Sequence, residues 1–186
     1  MILNTFYNDV NKVLILTTAK KSTNCKKDGD TTYFYDENNK IVGMNIFNIE
    51  GFNSGIVNQK DLSKDILEKF ELSDNSAPFV FGYTKKVQPH PDSDKLQVCV
   101  VDLGFEEIQI VCGASNCAQD KKVVVARVGA IMPNGMTILP AKVKGVESCG
   151  MMCSFNELGI TNVDASGIIL LDGNDMLGSE VIIGEL

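Results

Sequence analysis

Along most of the chain apolar and polar residues alternate over short stretches, and only one segment repeats them at helical spacing. Leu3 to Tyr7 and Val13 to Thr17 alternate, and two β-rich runs follow, Thr31 to Tyr35 and Ile41 to Phe47. The joint between those two runs, Asp36-Glu37-Asn38-Asn39, is polar and turn-prone, which predicts a hairpin. From Asp61 onward Leu62, Ile66, Leu67 and Phe70 share a helical stripe, with Lys60, Lys64 and Lys69 off it. That spacing predicts an amphipathic helix of about three turns, N-capped by Asp61 or Ser63 and packed on the small sheet. Residues 1–75 are therefore expected to form a small α+β domain.

The segment Leu72-Ser-Asp-Asn-Ser-Ala-Pro78 has loop chemistry, because its short polar side chains compete for backbone hydrogen bonds and its proline disfavours helix before it. A domain boundary is placed there. Beyond it the helical period fades and short strand-like runs take over: Phe79 to Val87, Leu96 to Leu103, Ile108 to Cys112, Val123 to Val128, Met136 to Val143 and Ile168 to Leu171. Turns bearing Gly and Asn separate them, the pattern of a small barrel or sandwich. Residues 79–186 suit a five-stranded, partly open barrel of the OB type, although periodicity alone does not separate it from other small β-folds. The expected fold class is thus mixed, an α+β N-terminal domain followed by an all-β OB-fold barrel.

Composition narrows the function. The chain of 186 residues is 44% hydrophobic, enough for ordinary packed cores. Its opening, MILNTFYNDV, has no basic region before an apolar stretch, and its aliphatic runs are too short to span a bilayer. A cytoplasmic protein with no membrane contact is expected. The cysteines at 25, 99, 112, 117, 149 and 153 include no CxxC pair, and in a reducing compartment they should remain thiols. A zinc site built from Cys112, Cys117, Cys149 and Cys153 has wider spacing than zinc ribbons use, so no metal and no cofactor is expected. The formal charge of −7 argues against a general nucleic-acid binder.

Four segments carry the most specific signal: HPDSDKL at His90 to Leu96, IVCGASNC at Ile110 to Cys117, VGAIMPNGM at Val128 to Met136, and AKVKGVESCGMMCSFNELG at Ala141 to Gly159. In order and spacing they closely resemble the tRNA-binding domain found near the start of the bacterial phenylalanyl-tRNA synthetase β chain. The same domain occurs in C-terminal extensions of methionyl-tRNA synthetases and in stand-alone tRNA-binding proteins. The resemblance covers Phe79 to about Leu186. The first half, through FYN at Phe6 to Asn8 and NIFN at Asn45 to Asn48, resembles the domain that precedes this module in YtpR-type tRNA-binding proteins. What the resemblance implies is non-catalytic binding of tRNA.

Each segment also has a physical reading. Pro89 and Pro91 hold the sole histidine, His90, in an extended, turn-like stretch, and Asp92 or Asp94 can fix the turn before Lys95. No Cys-His or Ser-His-Asp arrangement is legible around His90, so it is read as a loop-fixing residue near the ligand. Asn116 either pins its own loop or offers a donor and an acceptor to phosphate or sugar. Pro133-Asn134-Gly135 reads as a structural turn. Lys142 and Lys144 are two apart, so on a strand both face one side and can approach phosphates. The resemblance carries contact roles onto Lys142, Lys144, Ser148, Met151 and Ser154, with Asn116 and Lys95 beside them. One of Met151 and Met152 is expected in the barrel core.

The kind of RNA follows from what is scarce. After residue 78 the aromatic residues are Phe79, Phe81, Tyr83, Phe105 and Phe155, a poor supply for stacking single-stranded bases. Recognition of backbone, 2′-hydroxyl groups and the shape of folded tRNA fits better. Residues 79–186 hold eight basic against thirteen acidic side chains, and Arg127 is the chain's single arginine. Binding should then be modest and salt-sensitive through a local basic patch. A barrel that addresses a protein or ribonucleoprotein partner is the alternative reading. A homodimer, and a protein partner for the N-terminal domain, also stay open. An enzyme is not expected: GxxxxGK[ST], a strand-led GxGxxG and GxSxG are all absent.

Overall fold

The computed structural model describes residues 1–72, 75–163, 166–174 and 176–186. The chain divides into two compact units, Met1–Ala77 with Ile182–Leu186, and Pro78–Val181. Ser73 and Asp74 of the expected linker lie outside the described residues. The last five residues, expected with the second domain, group instead with the first unit, where Glu185 pairs with Lys60 at 3.3 Å.

In the first unit β1 (Asn4–Asn8), β2 (Val13–Thr17), β3 (Asn24–Asp28), β4 (Thr31–Tyr35), β5 (Ile41–Phe47) and β6 (Gly55–Ile56) form one sheet in the order β3-β4-β5-β2-β1-β6. Among the described residues its strand pairs are all antiparallel, the β4–β5 hairpin around Asp36 to Asn39 included. Leu3, Tyr7, Leu14, Leu16 and Met44 build its core, closed by Val57, Leu62 and Phe70. β3 had no apolar alternation to betray it. All five of its residues are exposed, and Lys26 and Lys27 protect this edge strand from further pairing.

The α+β expectation fails here, for the chain is nearly all β. The expected three-turn helix is a four-residue α-helix, Lys64–Leu67, after a 3₁₀ turn at Gln59–Asp61. Ser63 occupies the N-cap position without a side-chain capping bond. Beyond Leu67 the amides of Lys69 and Phe70 bond back only three residues, to Ile66 and Leu67. One uncapped turn does not propagate a helix, because nucleation is costly and each tightened bond ends it. The apolar stripe still does its packing, with Leu62 and Phe70 in the core and Ile66 and Leu67 against it.

In the second unit β7 (Phe79–His90), β8 (Ser93–Asp102), β9 (Glu107–Cys112), β10 (Lys122–Ala126) and β13 (Met151–Met152) are ordered β13-β10-β7-β8-β9. β14 (Leu170–Leu171) pairs with β10, and β11 (Ala141–Val143) with β12 (Val146–Ser148) makes a separate hairpin. Val123 to Ala126 are buried on both faces of the sheet, with Val80, Val101, Leu103, Ile110 and Ile169 also in the core. The expected barrel is present only as an open sheet, since β9 and β13 do not form a ladder. The strand that would close it breaks at Gly150, whose φ of +141° strains any other residue and whose Cβ would press tightly on the Ala126 carbonyl at 3.2 Å. Across the gap Cys149 N donates to Gln109 O at 2.8 Å, and Val111 N donates to Ser148 Oγ at 3.1 Å. Among the described residues no helix is long and apolar enough to cross a membrane.

Candidate nucleic-acid interface

The end of β9 opens into a cleft of about 420 Å³, walled by Ile110 to Ala114, by Met151 and Met152, and by Ser154, Glu157, Gly167 and Ile168. Met152 is buried in the core at 3% exposure, while its neighbour Met151 is half-buried on the cleft wall, as the alternation of a strand requires. The far wall is held by Asn116. Its Nδ2 donates to Ile168 O at 2.8 Å and its Oδ1 accepts from Ile168 N at 3.0 Å. Asn116 thus pins a second loop rather than its own.

Ser154 closes a capping box with Glu157. The Ser154 amide and hydroxyl both donate to Glu157 Oε2 at 2.7 Å, and Glu157 N donates to Ser154 Oγ at 3.3 Å. Glu157 was not among the expected site residues, and its S-x-x-E spacing from Ser154 is the sequence signal that would have marked it. Ser148 is 6% exposed with its Oγ bonded to the Val111 amide, so its hydroxyl serves the sheet closure. Asn116 and Ser148 are therefore committed to backbone partners beside the cleft, and Met151 and Ser154 are the expected contact residues that line it.

The basic residues lie on other elements. Lys142 stands on β11, exposed and 4.0 Å from Glu147, its cross-strand partner. Lys144 does not share its strand face, since β11 ends at Val143 and Lys144-Gly145 forms the hairpin turn with φ of +46° and +85°. From that tip Lys144 Nζ donates to Asp92 O at 3.1 Å. His90 supports the same junction. The Asp92 amide donates to His90 Nδ1 at 3.0 Å, so the ring proton sits on Nε2, which donates to Val143 O at 3.0 Å. His90 is 4% exposed, and it ties the β7–β8 turn to the hairpin tip. Lys95 is exposed on β8, just past that turn.

Much of the remaining positive charge is neutralised locally. Lys85 pairs with Glu107 and Asp102, Lys121 with Asp172, and Arg127 with Glu106 at 3.6 Å while stacking 4.8 Å from the centre of the Phe105 ring. Burial holds the Arg127 guanidinium below its ordinary value. Among the described residues of the second unit Lys86, Lys95 and Lys144 make no ion pair, and of these Lys95 and Lys144 lie near the β7–β8 turn and the hairpin tip, alongside the exposed Asp92 and Asp94.

The thiols form a second cluster. Cys99 Sγ lies 3.4 Å from Cys117 Sγ, and Cys112 Sγ accepts from the Ala114 amide at 3.4 Å. The hydrogen bond from Cys117 stabilises a Cys99 thiolate and lowers its value, whereas the Cys117 contact and burial raise Cys112. Cys153 is buried, which pushes its thiol up to about 12. No group of three or more His, Cys, Asp or Glu side chains among the described residues is arranged to hold a metal ion.

Comparison with known proteins places this surface in context. A family described as "Putative tRNA binding domain" matches residues 79–179. The Bacillus subtilis (strain 168) protein named "Putative tRNA-binding protein YtpR" is 36% identical over 192 residues, covering 92% of this chain and 96% of that protein. The phenylalanine–tRNA ligase β subunit of Campylobacter jejuni (strain RM1221) is 55% identical over 93 residues, covering 50% of this chain but only 12% of the ligase subunit. A crystal structure of a MetRS-related protein from Pyrococcus horikoshii superimposes with a TM-score of 0.40 at 23% identity, covering 56% of this chain and 88% of that one.

Proposed function

The chain belongs to the tRNA-binding-domain family matched over residues 79–179, and on that premise we propose that it binds tRNA without catalysing a reaction on it. One observation carries the reading: the family match falls within the second compact unit, Pro78–Val181, which also contains the cleft beside Met151 and the basic tip at Lys144. Lys95, Lys142 and Lys144 meet phosphates, and Met151 packs against a base or sugar surface at the cleft. With so few aromatic residues the unit reads the shape, backbone and 2′-hydroxyl groups of folded tRNA. Asn116, Ser148 and Ser154 set the geometry of that surface. A protein of this role works in the cytoplasm, where tRNA is.

This sequence spans only 12% of the Campylobacter jejuni ligase subunit, so the ligase activity is not transferred to it.

The test is binding of the purified chain to bulk tRNA against single-stranded RNA and duplex DNA of similar length, at two salt concentrations. Preferential, salt-sensitive binding to tRNA is expected. Equal binding to all three, or none at low salt, refutes it and moves the recognition surface to a protein partner.

A further inference from the structure

Three thiols meet at one point of the second unit although they come from three segments. The register pairs Gln97 with Cys112 and Cys99 with Ile110, which sets Cys99 and Cys112 on one face of neighbouring strands. The loop after β9 then brings back Cys117, with its Sγ 3.4 Å from that of Cys99 and within hydrogen-bonding reach of Cys112. Cys99 and Cys112 are buried and Cys117 is half-buried, so a reagent in solution meets Cys117 first. From 3.4 Å the Cys99 and Cys117 sulfurs must close to the roughly 2.05 Å of a disulfide, a movement available to a side chain carried on a loop.

We infer that Cys99 and Cys117 form an oxidation site, converted to an intramolecular disulfide by hydroperoxides or low-molecular-weight disulfides, and that closing it weakens binding at the adjacent cleft. With a disulfide oxidant, the small fraction of Cys117 present as thiolate attacks one oxidant sulfur and expels the first thiol. That step is slow near neutrality and quickens as the pH rises, because the pull of the Cys112 hydrogen bond is outweighed by the Cys99 hydrogen bond and burial, which push the Cys117 thiol up. The Cys99 thiolate then attacks Cys117 Sγ in the mixed disulfide and expels the second. Two protein thiols lose two electrons and two protons, and the oxidant leaves as two thiols. With a hydroperoxide, Cys117 takes one oxygen as a sulfenic acid and releases the alcohol or water, and Cys99 displaces that oxygen as water.

The link to the cleft is one residue long. Cys117 follows Asn116, whose carboxamide holds Ile168 on the cleft wall, and Cys112 lines the cleft itself. Drawing Cys117 Sγ toward Cys99 pulls on Asn116 and loosens its grip on Ile168. The effect on RNA rests on the tRNA-binding reading above, whereas the disulfide does not.

The experiment treats the full chain carrying Cys25→Ser, which removes the exposed competing thiol, with oxidised glutathione or hydrogen peroxide, blocks remaining thiols, and maps the product by mass spectrometry before measuring tRNA affinity. The expected product has lost two hydrogens and carries a Cys99–Cys117 link. Tens of minutes with dithiothreitol should restore the thiols. Cys117→Ser should abolish the link, and Cys112→Ser should leave it. Oxidation should weaken tRNA binding about 5-fold or more in the parent and leave Cys117→Ser unchanged. No disulfide, or a Cys112–Cys117 link in its place, overturns the site. A Cys99–Cys117 link with unaltered affinity overturns its control of binding. Should the reduced chain fail to bind tRNA at all, the functional reading falls while the mapped link still decides the oxidation site.

Discussion

Asn116 holds Ile168 as a neighbouring strand would, donating to its carbonyl and accepting from its amide across 52 residues of sequence. Gly167 makes the grip possible. A Cβ at Gly167 would lie 2.2 Å from Asn116 Oδ1, and its φ of +85° already disfavours a side chain.

Replacing Asn116 with alanine should cost about 1–3 kcal/mol of stability, because it strands two partly buried backbone groups of Ile168. Gly167→Ala should cost more than about 1 kcal/mol through the clash and the backbone strain. Since the clash partner is Asn116 itself, the double variant should lose less than the sum of the two. Urea unfolding of all three chains measures this, and strict additivity would contradict the contact.

Ser148→Ala should lower stability by about 1–3 kcal/mol, leaving the Val111 amide without its acceptor where the open sheet is drawn together. Ser148→Thr keeps the acceptor and should recover part of the loss. If Ser148→Ala instead unfolds like the parent but binds tRNA poorly, the hydroxyl contacts RNA directly.

Lys142→Ala combined with Lys144→Ala should weaken binding to a similar extent for different tRNAs. Phosphate contacts carry no sequence information, and the slope of log affinity against log salt should shrink by about 1 for each contact removed. The Lys142 pair with Glu147 is exposed, so its loss should leave the unfolding midpoint almost unchanged. Loss of binding for a single tRNA species would argue for base readout instead.

Thr5→Val should stabilise the first unit by about 1 kcal/mol. Thr5 is 2% exposed and its Oγ1 has no hydrogen-bond partner among the described residues, so the near-isosteric valine removes only an unmet polar group. A lower unfolding midpoint for the variant would show that the hydroxyl does have a partner.

Alkylation of Cys117 should be slow near neutrality and rise about tenfold per pH unit toward its thiol's value. The Cys112 hydrogen bond pulls that thiol down, but the Cys99 hydrogen bond and burial outweigh it and push it up to about 11. Raising the pH therefore increases the thiolate fraction and the rate. Exposed Cys25 should react faster than Cys117 at pH 8, and mass mapping of a timed reaction with iodoacetamide reports both.

Local chemistry was legible in the sequence where the neighbours that matter are neighbours in the chain. The β4–β5 hairpin and the strand-rich second half follow from alternation and turn residues, whereas the spacing of three between Ser154 and Glu157 carried a capping signal that was not drawn from the sequence. The apolar stripe of Leu62, Ile66, Leu67 and Phe70 correctly marked what would be buried, but not the length of the helix. Burial periodicity reports a face, and helix length depends on caps and nucleation that the stripe does not encode. The edge strand β3 escaped because an exposed strand needs no apolar pattern.

What the sequence by itself determined, then, was the β-rich second half, the family pattern from His90 to Gly159 and the polar residues available to a site. Only the tertiary structure decided how those residues are used. Asn116 serves Ile168, Ser148 serves Val111, and His90 serves Val143, each across more than 35 positions. It also separated Lys144 from the strand face of Lys142 and gathered Cys99, Cys112 and Cys117 into one cluster. The physical reason is that a polar side chain satisfies whichever unpaired backbone group folding brings to it, and that partner is set by sheet register and loop return.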